Sequence, residues 1–139
     1  MTQIRDALVE QNPWWKGEFA LDYHPREAYG RIEKALHSRF IVALTGLRRM
    51  GKTTLLLRIG QEAIRRGTNP RDVVYFSFDE FRAADIRQVL REYEGLLDRR
   101  FGERRTILLL DEIQKLPGWQ DQLKALYDAW GLKVKACIS

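Results

Sequence analysis

Phe40-Ile41-Val42-Ala43-Leu44-Thr45-Gly46-Leu47-Arg48-Arg49-Met50-Gly51-Lys52-Thr53-Thr54 is the stretch that decides the fold. An apolar run leads into a glycine-bounded loop, and an amphipathic stripe at Leu55, Leu56, Ile59 and Ala63 follows it. A G-x-x-x-x-G-K-[ST] pattern placed between a strand and a helix is the setting of a phosphate-binding loop. The glycines let the backbone wrap an anion, so that successive N–H groups and the helix N-terminus point at it. Gly46, Leu47, Arg48, Arg49, Met50, Gly51, Lys52, Thr53 and Thr54 are thus the expected nucleotide-binding residues. Lys52 would bring a positive charge to the β- and γ-phosphates, and Thr53 a hydroxyl to Mg²⁺. Thr54 is expected to cap the helix. Arg48 and Arg49 have two readings: contact with the γ-phosphate or a partner's acidic residue, or two solvated side chains on a loop tip.

The rest of the chain extends this unit. Apolar runs recur at Val73 to Phe78, Thr106 to Leu110 and Val134 to Ile138, and the run ending at Leu110 is nearly continuous, as in parallel strands buried on both faces. Helical stripes lie between them. The first should stop at Gly67, the second is capped by Asp85 and carries Ile86, Val89, Leu90, Tyr93, Leu96 and Leu97, and the third runs from about Trp119 to Gly131. Such alternation predicts an α/β fold, a parallel sheet with right-handed crossovers. Before Arg39 the pattern changes to a helix from Thr2 to about Gln11, the run Asn12-Pro13-Trp14-Trp15, and a second helix from Pro25 carrying Tyr29, Ile32 and Leu36. Residues 1–38 are expected to be a helical lead-in and residues 39–139 the sheet domain.

Asp111 and Glu112 end the third apolar run. A carboxylate there can hold Mg²⁺ through its water shell, and the next can polarise an attacking water, which gives Asp111 the metal role and Glu112, with Lys52, the catalytic one. The GTPase pattern of aspartate followed by x-x-Gly is missing, since Asp111 precedes Glu112-Ile113-Gln114, and no N-K-x-D occurs. ATP is the expected nucleotide. Asp79-Glu80 closes the second run in the same way and is either a metal- or effector-tuning pair or a turn.

The chain has 139 residues, a net charge of +5 and one cysteine, Cys137, which excludes an internal disulfide. His24 and His37 give no metal-ligand spacing. No run approaches the ~20 apolar residues of a membrane span, and a cytoplasmic location is expected. Parallel topology would put Arg65, Arg66, Arg71, Arg99, Arg100, Arg104, Arg105 and Lys133 at the edge opposite the phosphate loop. Helix macrodipoles favour cations at some of these places; a surface for nucleic acid or an acidic partner is the other reading. Trp14-Trp15 either stacks on the base or covers the core.

Gly46 to Thr54 with its doubled arginines, Phe76-Ser77-Phe78-Asp79-Glu80, and Leu108 to Trp119 (L-L-L-D-E-I-Q-K-L-P-G-W) together resemble the archaeal-type ATPases. These are an AAA-like branch of the P-loop superfamily, close to the STAND ATPases. The resemblance implies a three-layer P-loop NTPase sheet with an additional strand, in the order 5-1-4-3-2, and ATP hydrolysis that drives or switches attached domains. It also implies a polar sensor residue after the fourth strand, where this chain reaches Ser139, and further regions beyond. On this reading the fifth strand lies outside the sequence, and the edge beside Phe40 to Leu44 would be open to self-association or to C-terminal domains. The alternatives are a nucleotide-binding scaffold with negligible turnover and, more distantly, a small-molecule kinase.

Overall fold

The computed structural model describes residues 2–16, 30, 33–34, 36–37, 41–43, 51–79 and 85–139, with Thr2, Gln3, Lys52 and Leu132 described through their backbone alone. The elements are α1 (Thr2–Gln11), β1 (Val42–Ala43), α2 (Lys52–Arg65), β2 (Val73–Ser77), α3 (Ile86–Leu97), β3 (Thr106–Asp111), α4 (Trp119–Trp130) and β4 (Val134–Ile138). Single 3-10 turns at Pro13–Lys16, Pro70–Asp72, Ile113–Lys115 and Gly131–Lys133 join several of them. The second lead-in helix, expected from Pro25, falls largely outside the described residues, as do Phe40 and Leu44.

Among the described residues the strands form one sheet in the order β1-β4-β3-β2, every neighbouring pair parallel. This is the 1-4-3-2 portion of the expected order. β3 lies inside the sheet, and all its residues are buried, which explains its unbroken aliphatic character. α2 packs on β2 and β3, α4 on β4, and α1 on β2 and α3. Cys137 is fully buried in β4, and burial pushes its thiol up to about 11, as suits a structural cysteine.

Gly60 sets how closely α2 approaches the sheet. A Cβ there would lie 3.0 Å from Leu109 Cδ1 and 3.1 Å from Val73 Cγ1. Thr53 is seven residues, two helical turns, before Gly60 and so projects from the same face of α2.

Among the described residues β2 is an edge strand, and the lead-in closes it. Alternate residues of an edge strand point their backbone N–H and C=O outward. Asn12 Nδ2 donates to the Tyr75 carbonyl at 2.9 Å, and Tyr75 N–H donates to Asn12 Oδ1 at 2.7 Å. The indole N–H groups of Trp14 and Trp15 both donate to the Val73 carbonyl, at 2.9 and 2.8 Å, and Ser77 N–H donates to Gln11 Oε1 at 3.2 Å. Trp14 and Trp15 are buried against Val73, at the start of β2, and Trp15 packs on Tyr93 with ring centroids 5.6 Å apart. They cover the core. The base-stacking reading is set aside, because Val73 lies at the end of β2 remote from Asp111.

Candidate functional site

β3 delivers Asp111 to its C-terminal end, and α2 begins beside it. Gly51 precedes α2 with φ +70°, a left-handed conformation that side chains resist, and a Cβ there would come within 2.8 Å of Thr54 Cβ and Oγ1. Its carbonyl accepts the Leu55 N–H at 2.8 Å, which starts the helix. Thr54 is not the cap. Gly51 holds that position without a side-chain hydrogen bond, because Thr54 already lies within the first helical turn, whereas a cap stands before it with extended backbone. Gly46, Leu47, Arg48, Arg49 and Met50 lie outside the described residues, and so does the side chain of Lys52.

Thr53 Oγ1 donates to Asp111 Oδ2 at 2.5 Å across 58 residues of sequence. Asp111 is only 3 % exposed and collects three further donors. The Tyr75 phenol donates to the same Oδ2 at 2.6 Å, Ser139 Oγ donates to Oδ1 at 3.0 Å, and the Glu112 N–H donates to Oδ1 at 3.1 Å. Together these four donors fix the orientation of the Asp111 carboxylate. Burial, and then the hydrogen bond to Asp111, push the Tyr75 phenol far above its ordinary range, so it remains a donor at neutral pH.

Glu112 is half-buried, with left-handed backbone (φ 55°, ψ 40°). Its Oε2 accepts from Gln114 Nε2 at 2.6 Å and lies 3.9 Å from Lys115 Nζ. Lys115 also pairs with Asp79, just past the end of β2, so the two strand ends are tied through one ammonium. Asp79 is exposed and serves this bridge, while its sequence neighbour Glu80 lies outside the described residues.

The donor set fits a hard cation. Among the described residues no group of three or more His, Cys, Asp or Glu could hold a metal ion. Mg²⁺ does not require one, since it typically takes one or two carboxylates and completes its shell with water and phosphate oxygens. The Thr53 hydroxyl gives its proton to Asp111 and keeps its lone pairs for a cation.

Tyr75 and Ser139 were not singled out as partners of Asp111 by their sequence positions. Parallel register sets Tyr75 beside Leu109, whose side chain shares a face of β3 with that of Asp111, and the long phenol spans the remaining distance. The sequence signal was a polar-tipped residue in the middle of a largely apolar strand. Ser139 follows β4, where its N–H donates to the Leu110 carbonyl and its carbonyl accepts from Ile113 N–H, both at 3.0 Å.

Similarity to known proteins covers the same region. The family profile described as an AAA domain matches residues 38–139. An uncharacterized protein of Methanocaldococcus jannaschii is 41% identical over 98 residues, covering 69% of this chain and 20% of that protein. An uncharacterized protein of Mycobacterium tuberculosis is 32% identical over 103 residues, 74% of this chain and 20% of its own length. One from Haemophilus influenzae is 27% identical over 89 residues, 63% of this chain and 22% of its own. The chain spans about a fifth of the length of the curated relatives it matches. No solved structure matches. No helix among the described residues is long and apolar enough to cross a membrane.

Proposed function

The chain belongs to the AAA domain family, nucleotide-binding modules of the ATPase type, and from that premise we propose that it binds ATP with Mg²⁺ and hydrolyses it to drive or switch attached domains. Within the family we place it with the archaeal-type, STAND-related ATPases, with residues 39–139 as the ATPase core and residues 1–38 as its lead-in. The observation that carries the proposal is the 2.5 Å hydrogen bond between Thr53, at the start of α2, and Asp111, at the end of β3. It brings together two segments far apart in sequence that this reading assigns to phosphate and metal.

On this reading the loop from Gly46 to Thr54 would cradle the phosphates with backbone N–H groups, and Lys52 would bring its ammonium to the β- and γ-phosphates. Thr53 would offer a hydroxyl lone pair to the metal, and Asp111 would hold the metal through its water shell. ATP, when bound, supplies the γ-phosphoryl group and Mg²⁺ neutralises its charge. Glu112 takes the proton of the attacking water, and to do so it must exchange the amide of Gln114 for that water. Ser139, bonded to Asp111 Oδ1, senses the state of that carboxylate.

The hold of Gln114 and Lys115 on Glu112 favours a second reading, a switch that binds ATP and turns over negligibly. Phosphate release and calorimetry on wild type, Lys52→Ala and Glu112→Gln separate the two. An ATPase shows wild-type turnover that both substitutions reduce, with Glu112→Gln still binding Mg-ATP. Absence of heat on mixing wild type with Mg-ATP would refute both.

A further inference from the structure

At the edge of the sheet opposite Asp111, the first residues of three parallel strands stand side by side, with Thr106 of β3 paired with Val134 of β4 and Val73 of β2 beside Ile107. Cations precede each strand: Arg71 before β2, Arg104 and Arg105 before β3, and Lys133 before β4. Arg99 and Arg100 follow α3.

Structure divides the cations that sequence places at this edge. Arg65 and Arg66 both pair with Glu62, and Arg66 also with Glu33, so they are neutralised on their own helix and its neighbour. Arg99 Nη2 lies 2.7 Å from Asp72 Oδ1, and that pair also cancels. Arg71, Arg100, Arg104, Arg105 and Lys133 are exposed and make no ion pair among the described residues.

Three of them, Arg71, Arg100 and Arg104, line a cavity of about 610 Å³ between the Pro70–Asp72 turn, the end of α3 and the loop into β3. Asp98 and Glu103 are the carboxylates on its wall besides paired Asp72. With Arg105 and Lys133 flanking, five cations oppose two carboxylates and leave three positive charges in excess. The frame is held by specific bonds. Arg71 N–H donates to Asn69 Oδ1 at 2.9 Å, the Tyr93 phenol donates to the Arg71 carbonyl at 2.6 Å, and Thr106 Oγ1 donates to the Arg104 carbonyl at 3.3 Å. These bonds use backbone groups of the arginines and leave the guanidinium groups open. Arg99 Nη2 is itself buried without an aligned hydrogen-bond acceptor at the same wall.

The macrodipoles of α3 and α4 account for cations at their C-terminal ends, Lys133 included, but not for Arg71, Arg104 or Arg105, which precede strands. We propose that this edge binds the sugar-phosphate backbone of nucleic acid without reading its sequence. Guanidinium forks match phosphate oxygens in pairs. Three neighbouring strand starts cover roughly 10 Å at a spacing of ~4.8 Å, a width comparable to about three base-pair steps of duplex at ~3.4 Å of axis each. The wall is mainly charged and polar, with Leu97 its one aliphatic member, a poor seat for the apolar anchors of a protein partner. Thr106 at the cavity and Asp111 at the nucleotide end are the two ends of β3, so one strand joins both sites.

The test is fluorescence anisotropy of the full chain with a labelled duplex of about 20 base pairs, without nucleotide, between about 50 and 200 mM salt. Three to five neutralised phosphates predict a loss of affinity of about 40- to 500-fold across that range. Arg71→Ala, Arg100→Ala and Arg104→Ala should each reduce the slope of log K against log salt by about one, while Arg65→Ala leaves it unchanged. All four side chains are exposed, so the variants should fold, and circular dichroism checks it. No binding at the lowest salt, or a slope indifferent to the three substitutions, overturns the proposal. Equal displacement by polyglutamate overturns it in favour of an acidic polypeptide. Because nucleotide is absent throughout, the result stands apart from the proposed ATP site.

Discussion

Asn12 pairs through its side-chain amide with both backbone polar groups of Tyr75, and the phenol of the same Tyr75 donates to Asp111. One residue thus connects the lead-in helix, the sheet edge and the carboxylate at the centre of the candidate site. The lead-in is part of the sheet's closure: Gln11, Asn12, Trp14 and Trp15 together occupy the outward groups of Val73, Tyr75 and Ser77.

Asn12→Leu keeps the bulk of the side chain and deletes the amide, so the Tyr75 N–H and C=O lose their partners in a buried setting. Unsatisfied buried groups cost about 1–3 kcal/mol each, so a loss of about 2–6 kcal/mol in folding free energy is expected. Urea unfolding should show a lower midpoint with an unchanged slope. An unaltered midpoint would mean that water reaches the edge of β2.

Tyr75→Phe removes one of the two donors on Asp111 Oδ2 and little else. A hydrogen bond to a charged group contributes about 1.5–3 kcal/mol, and the freed carboxylate is expected to hold the metal's water shell less well. Calorimetry should find Mg-ATP affinity reduced by about tenfold at the low end of that range. Metal-free ADP should bind as to wild type. An equal loss with and without Mg²⁺ would place the effect in the fold instead.

Much of this was legible because it depends on local pattern. The apolar run that ends at Asp111-Glu112 announced a buried strand, Asp85 capped α3 as its position predicts, and the four strands appeared where the aliphatic runs lie. What escaped depends on neighbours in space. Tyr75 reaches Asp111 only because of parallel register, and Asn12 finds Tyr75 across 63 residues. Arg65 and Arg66 looked like free cations until Glu62 and Glu33 were seen to neutralise them. Thr54 carried the right side chain for a cap at a position one turn too late.

Gly60→Val tests the close approach of α2. The new side chain meets Leu109 and the stiff, fully buried Val73, so the helix must move outward. Overpacking of this kind costs about 1–3 kcal/mol, and Thr53, two turns away on the same face, moves off Asp111. Lower thermal stability together with weaker Mg-ATP binding is expected. Normal binding in a destabilised protein would show that the start of α2 is held independently of its middle.

Stability should fall on the alkaline side, where the buried Cys137 thiol and the phenols of Tyr75, Tyr93 and Tyr127 are held above their ordinary values. Burial, opposed by Arg99 and reinforced by Asp72, pushes Tyr93 up to about 12, and burial with the Asp111 hydrogen bond pushes Tyr75 higher still. An unfolded chain releases these protons near pH 10, whereas the native state keeps them, so above that pH the unfolded state binds fewer protons. The stability slope is then negative, up to about 1.4 kcal/mol per pH unit for each group. The contribution is fully present below about pH 10 and is lost as pH rises through the native values. Denaturant titrations at stepped alkaline pH should show this decline, and Tyr93→Phe should make it shallower above about pH 10. A flat profile from pH 9 to 11 would contradict the burial of both side chains.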